Sequence, residues 1–307
     1  MRRTGGARGD QKFLRALDET DDAADNANQF RPASRIEEQG LKMNTVEMKD
    51  SLQQGKVIIG TWVHEFNSPG LPRLLKSTGV DFVVYDMEHS GFGIDTVRTL
   101  IALSRPLNLA ALVRPPAGRA HLIAPLLDIG AAGIIAPMIE TARDAAEVAE
   151  SCRYSPLGRR GASFSIAHDD FLPGDISTKI KNANEGVLCA VLIESERGVE
   201  NLHEILAVPG IDLVWMGFLD LSLSMGIPGE FAHPRFQEIT NVIVETCSSH
   251  RTPVGIAAGD SRRALQFINQ GFRCIGYSGD LWLLQRALSE GVAAVRANLT
   301  ADQTPSA

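Results

Sequence analysis

The 307-residue chain predicts an α/β protein, a single-domain (β/α)8 TIM barrel carrying a flexible N-terminal extension. Three observations carry that expectation. Eight short apolar runs alternate with eight helical patterns from residue 57 to residue 299; such alternation builds parallel βαβ units, and eight of them over about 250 residues match a closed barrel. Polar and charged residues gather where the runs stop, as they do at the catalytic end of a barrel. No GxGxxG follows the first run, which weakens the runner-up, an open doubly wound sheet with a dinucleotide site.

Taken in order, residues 1–42 carry eight basic and eight acidic residues and few large apolar ones. They cannot bury enough surface to offset their ordering entropy, so a flexible extension is expected, with a short helix at 11–17. The segment lacks the apolar core of a signal peptide, and its acids argue against a transit peptide. Met43 opens a helical lead-in. Translation is therefore expected to begin there, with the barrel domain spanning 43–307.

The strands are expected at 57–63, 82–87, 109–114, 133–138, 187–194, 213–217, 254–258 and 274–277. The second opens as an unbroken apolar run, Phe82 to Tyr85, the pattern of a strand buried on both faces. Helices are expected at 71–77, 96–104, 121–129, 142–152, 202–206, 234–248, 262–269 and 281–299. In the last of these Leu281, Trp282, Leu284, Leu288, Val292 and Val295 cover more circumference than one barrel-facing stripe requires. A second apolar face needs a partner, so a homo-oligomer with this helix at a contact is expected.

The apolar fraction of 44% and charged fraction of 22% are those of a soluble globular protein, which excludes fibrous and mostly disordered classes. A net charge of -7 with no basic stripe argues against a nucleic-acid surface. No run reaches the length of a membrane span. Cys152, Cys189, Cys247 and Cys274 are widely spaced without a CxxC pair and read as reduced thiols of a cytoplasmic protein.

The strand ends hold the chemistry. Asp86, Glu88 and His89 stand within four positions after the second strand, where side-chain alternation would send Asp86 and Glu88 to one side. The third strand ends in Arg114, the fifth in Glu194, and the sixth runs through Gly217 to Asp220. Each has a plainer reading: Glu194 and Asp220 as helix or turn caps, Arg114 as the partner of a surface acid, His89 as a loop residue. Together they form a set that a barrel brings to one mouth. Two carboxylates from neighbouring strands, with waters, make a hard oxygen site suited to Mg2+ or Mn2+. An ion chelated by a 2-oxo acid polarises its carbonyl, Arg114 would neutralise the resulting oxyanion, and His89 could move protons near neutral pH. No lysine stands at these strand ends, which disfavours a Schiff base.

Seven motifs then carry a resemblance: GTW at 60–62, DMEHSG at 86–91, LVRPP at 112–116, LLDIGAAGIIAPMIETARDA at 126–145, RYSPLGRRGAS at 153–163, IESERGVENL at 193–202 and GFLDLSLSMGIPG at 217–229. From about residue 56 to residue 288 the chain resembles the HpcH/HpaI family of metal-dependent, class II 2-oxo acid (pyruvate) aldolases. The resemblance implies a barrel, often hexameric, whose last helix is exchanged between subunits. It implies that Glu194 and Asp220 bind a divalent ion (Mg2+, Mn2+ or Co2+), that His89 acts as acid/base, and that Arg114 holds the keto oxygen. Asp128 would reach a neighbouring subunit's histidine. Backbone at Gly217, Phe218 and Leu219 would hold the substrate carboxylate, with Asp86 and Glu88 supporting from behind.

The activity implied is reversible cleavage of a 4-hydroxy-2-oxo acid to pyruvate and an aldehyde through a metal-stabilised enolate. A citrate-lyase-like or malyl-CoA-like cleavage, and a barrel that binds a 2-oxo acid without turnover, are the alternatives. Two departures bear on the pocket. Leu192 stands where the family usually has a polar residue, often Gln, and Phe218 and Leu219 replace the Pro and small residue of the usual GPxDL.

Overall fold

The computed structural model describes residues 45–299, so the expectations for the extension and for a start at Met43 lie outside the described residues. Eight parallel strands pair in sequence order and the eighth closes on the first. They are β1 Ile58–Val63, β2 Phe82–Asp86, β3 Ala110–Arg114, β4 Gly133–Ala136, β5 Leu188–Ile193, β6 Leu213–Met216, β7 Val254–Ala258 and β8 Cys274–Gly279. Every expected strand is present: β7 has its expected bounds, β8 runs two residues further, and the others are a residue or two shorter.

Helices alternate with them in the expected order. Before the barrel comes α1, Thr45–Gln53; then α2 Leu71–Ser77, α3 Ile94–Ser104, α4 Ala120–Asp128 and α5 Ala142–Cys152 follow the first four strands. Next come α6 Ile176–Gly186 ahead of β5, α7 Glu196–Glu200 and α8 Leu202–Leu206 after it, and α9 Phe218–Ser224 and α10 Pro234–Ser249 after β6. The last two are α11 Ser261–Gln270 and α12 Asp280–Ala297.

Alternation along each strand separates two cores. Outward residues such as Val83, Tyr85, Val113, Ile134 and Val191 meet the helices in the larger one. Inward residues form the smaller one, in which Trp62, Phe82, Leu112, Leu192 and Trp215 fill the lumen and Met48 and Leu52 of α1 join Ile58 and Ala110. Bulk inside a narrow barrel has a geometric consequence. Side chains on facing strands would collide, so the lumen positions opposite the large rings are glycine: a Cβ on Gly276 would lie 2.5 Å from Trp62 Nε1, and one on Gly255 2.9 Å from the Trp215 ring. Gly60 is similarly confined, its Cβ falling 2.5 Å from both the Phe82 ring and the Phe82 carbonyl oxygen. The rings lock edge to face, Trp62 on Trp215 at 5.4 Å and Phe82 on Trp215 at 6.3 Å.

Helices α6, α7 and α9 lie outside the expected set. Helix α6 has no apolar stripe to reveal it; only Asn184 is buried, and its start is set by Asp175, whose carboxylate caps the Thr178 N–H at 2.8 Å. The sixth strand stops at Met216, and residues expected to prolong it begin α9 instead. The final helix buries only Asp280, leaving Trp282, Leu288 and Val295 at 49%, 57% and 62% exposure. Among the described residues no helix is long and apolar enough to cross a membrane.

Gly60→Ala tests the packing of the lumen. The added methyl meets a backbone carbonyl that cannot swing aside, and overpacking of this kind costs about 1–3 kcal/mol. Urea unfolding should show a lower midpoint; an unchanged midpoint would mean that the lumen has slack to take the methyl.

Candidate functional site

The β2–β3 register places Asp86 directly beside Arg114, both at strand ends. Asp86 is fully buried, and a bare carboxylate there would be untenable. Arg114 resolves it with a fork: Nε donates to Oδ1 at 2.8 Å and Nη2 to Oδ2 at 2.7 Å. The N–H groups of Glu88 and His89 donate to the same carboxylate at 3.0 and 3.2 Å, so the turn after β2 is folded around it. Burial alone would raise the Asp86 pKa, but the hydrogen bonds and charge of Arg114, with the Glu88 N–H and His64, outweigh it and hold it below the usual carboxylate range. Arg114 lies over the Trp62 ring at 4.7 Å and turns its remaining nitrogen, Nη1, toward Glu88 Oε2 at 3.2 Å.

Opposite this pair stands Glu194, immediately after β5. It is 4% exposed, and Oε1 accepts the Met138 N–H at 2.7 Å. To offer that N–H, Met138 adopts a left-handed backbone, φ 54°, uncommon for a residue with a side chain. Gly217 clears room on the other side, since a Cβ there would sit 2.6 Å from Glu194 Oε2. The Glu194 pKa is pushed up to about 7, first by burial, then against the Met138 bond by the charges of Glu88 and Asp220, with Arg114 opposing. Glu88 is raised as well, first by burial and in smaller part by Asp86 and Asp220. The charges of Glu88 and Asp220 thus disfavour ionisation of Glu194, and that of Asp220 disfavours ionisation of Glu88, a field that a divalent cation relieves.

Among the described residues no three His, Cys, Asp or Glu side chains converge into a complete cage. The donor set nonetheless fits an oxygen-seeking ion that takes Glu194 and Asp220 and leaves positions for substrate and water. Glu88 Oε2 is buried, ion-paired with Arg114 Nη1 but taking no hydrogen bond.

The structure therefore brings together Asp86, Glu88, Arg114, Glu194 and Asp220. Leu192 faces the lumen one step below Glu194, at 2% exposure. His89 stands at the rim, its side chain 59% exposed and its Nε2 3.7 Å from Glu88 Oε2. Gly217 has spent its N–H on the Ile193 carbonyl, 3.0 Å, which leaves the amides of Phe218 and Leu219 in the uncapped first turn of α9. The Phe218 ring packs edge-on against Phe231 at 5.2 Å, and Leu219 is exposed. Asp128 is not joined to this group within the chain. It ends α4 and accepts from Arg160 Nη2 at 2.6 Å, an arginine stacked on Tyr154.

Sequence reasoning missed His64 and Asp280. His64 follows β1 at the mouth, 8% exposed, with Nε2 3.3 Å from Asp86 Oδ2. Burial lowers its pKa against the pull of Asp86. Asp280 opens α12 and accepts the N–H groups of His64, Glu65 and Phe66 at 3.0, 3.0 and 2.7 Å. The only sequence signal was a histidine just past the first strand, in no motif.

Comparison with known proteins follows the same lines. The HpcH/HpaI aldolase/citrate lyase family profile matches residues 59–287. A hydroxypyruvate/pyruvate aldolase of Roseobacter denitrificans is 30% identical over 77% of this chain and 91% of its own length. A 2-keto-3-deoxy-L-rhamnonate aldolase of Salmonella schwarzengrund is 31% identical over 80% of this chain and 91% of its own. The crystal structure of an HpcH/HpaI aldolase from Desulfitobacterium hafniense superposes with a TM-score of 0.80 at 28% identity, covering 84% of this chain and 99% of that one.

The raised Glu194 has a thermodynamic signature. Its folded pKa of about 7 exceeds the 4.5 expected unfolded, so its stabilising contribution is complete below pH 4.5 and is lost as pH rises toward 7. Integrated over that window the loss is on the order of 3 kcal/mol. In metal-free buffer Glu194→Gln should flatten the fall in unfolding free energy between pH 4.5 and 7; a slope equal to that of the parent would refute the assignment.

Proposed function

Because the chain belongs to the HpcH/HpaI aldolase/citrate lyase family, whose named relatives are carbon–carbon lyases, we propose that it is a divalent-metal-dependent aldolase. Its substrate on this reading is a 4-hydroxy-2-oxo acid, cleaved reversibly to pyruvate and an aldehyde. The observation that carries it is the crowding of Glu88, Glu194 and Asp220 opposite an arginine already fixed by Asp86.

Glu194 and Asp220 are the residues that would hold Mg2+, Mn2+ or Co2+. When bound, the ion supplies Lewis-acid polarisation of the 2-oxo group. Arg114 holds the keto oxygen and carries the charge that collects there as the C3–C4 bond breaks. Asp86 keeps the guanidinium aimed, so its reorganisation is not part of the barrier. His89 takes the proton of the 4-hydroxyl as the aldehyde forms and returns one to C3 of the pyruvate enolate, which balances the reaction. The Phe218 and Leu219 amides receive the substrate carboxylate. The lumen beneath is closed by Trp62, Trp215 and Leu192, which exclude water from the enolate.

We also infer a homo-oligomer, six copies on the family pattern, acting in the cytoplasm. The apolar face of α12, left uncovered by the described residues, is the contact, and Asp128 of a neighbouring copy orients the rim-exposed His89. Four buried free cysteines suit a reducing compartment.

With Mn2+ or Mg2+ the protein should exchange the methyl protons of pyruvate with D2O, and EDTA should abolish the exchange. A barrel that only binds the acid would hold pyruvate without exchange. Glu194→Ala should lose both metal affinity and exchange, whereas Arg114→Ala should lose about 100-fold or more in exchange with metal affinity nearly unchanged; parent-like exchange in Arg114→Ala would overturn its role. Because Glu194 would have to give up its proton to hold the ion, Mn2+ affinity should fall up to tenfold per pH unit below about 7. Leu288→Glu with Val292→Glu should lower the mass seen by light scattering, and an unchanged mass would remove α12 from the contact.

A further inference from the structure

The imidazole of His64 is held more tightly than a loop residue requires. Its backbone N–H is taken by Asp280, which also takes the next two N–H groups and that of Leu281 at 2.9 Å, so one buried acid fixes the whole turn after β1. The ring is stacked on Trp62 at 5.8 Å and 25°, and meets Trp282 at 4.9 Å and 66° from the other side. Its side chain is 9% exposed. Nδ1 is buried without a hydrogen-bond partner, 3.9 Å from Asp280 Oδ1.

A histidine serving only as filler between two indoles would not need nitrogen. Phenylalanine or leucine would occupy the same gap and leave no orphaned polar atom, whose burial costs stability. What the imidazole adds is Nε2 on the free side of Asp86. The other directions around that carboxylate are taken by Arg114, by the Glu88 and His89 N–H groups, and by the strand itself. The Trp62 ring underlies both His64 and Arg114, so imidazole and guanidinium flank Asp86 on one aromatic floor.

We propose that His64 is a positioning residue: it closes the open side of Asp86 and, through that carboxylate, holds the Arg114 guanidinium where the enolate oxygen forms. It rests on the aldolase reading of the same site. His64 itself touches no reacting atom. Its effect is therefore on the aim of Arg114, which matters more as charge develops than in the first binding of substrate.

The test compares His64→Phe, which keeps the ring between the two indoles and removes Nε2, with His64→Gln, whose amide reaches a similar distance. His64→Leu serves if the Phe ring is not accommodated. In pyruvate methyl-proton exchange with Mn2+, the Phe variant should lose about tenfold in kcat with KM changed less than about threefold, and the Gln variant should recover most of the loss. A second readout needs neither metal nor activity. Phenylglyoxal labelling of Arg114, followed by peptide mass spectrometry, should quicken several-fold in the Phe variant and return toward the parent rate in the Gln variant. Arg153 and Arg160, buried and paired with Asp212 and Asp128 elsewhere in the chain, serve as internal controls.

Parent-like kcat and parent-like Arg114 labelling in His64→Phe would overturn the proposal. So would a parallel rise at Arg153 and Arg160, which would mark general loosening. If the parent protein itself shows no proton exchange, the aldolase reading fails, and the labelling ratio alone decides whether His64 holds Arg114.

Discussion

The buried pair of Asp86 and Arg114 is the constraint from which the rest of the mouth takes its geometry. A fully buried carboxylate is strongly unfavourable alone, and an arginine fork at 2.7–2.8 Å is the arrangement that satisfies both of its oxygens. Ion pairs this deep seldom add net stability over a well-packed apolar pair. What this one supplies is direction. It folds the turn bearing Glu88 and His89 around itself, sets the guanidinium over the Trp62 ring, and leaves Nη1 facing Glu88.

The height of that floor is set by packing. Trp62, Phe82 and Trp215 fill a lumen too narrow for side chains on every strand, and the glycines facing them are the space those rings need. The same economy operates one layer up, where Gly217 gives Glu194 its place. Core packing and site geometry are thus one problem: a methyl added to the lumen would move the indole on which Arg114 rests.

Against the fixed cation, the acids are left in conflict. Glu194 is buried, bonded to a strained Met138 amide, and repelled by Glu88 and Asp220, so its proton is held to near neutrality. Backbone strain and raised acidity at one point are costs the fold tolerates where function is located. A divalent ion held by Glu194 and Asp220, as proposed, would relieve the raised pKa and lower the field on Glu88.

The order of eight strands and the end at which the polar residues gather were legible in the sequence; closure of the sheet was not. Short unbroken apolar runs with helices between them give eight parallel strands in order, and because the strands are parallel, Asp86, Arg114 and Glu194 at their carboxyl ends come to one end of the barrel. The sequence did not determine α6, which buries almost nothing and so has no stripe, nor the stop at Met216, because the apolar continuation into Phe218 and Leu219 suits a strand and a helix equally. His64, Asp280 and the Asp128–Arg160 pairing were decided only by tertiary structure. They depend on contacts between β1, β2 and α12, or between α4 and a distant loop, and no local pattern encodes which residues closure of the barrel will bring within 4 Å of one another.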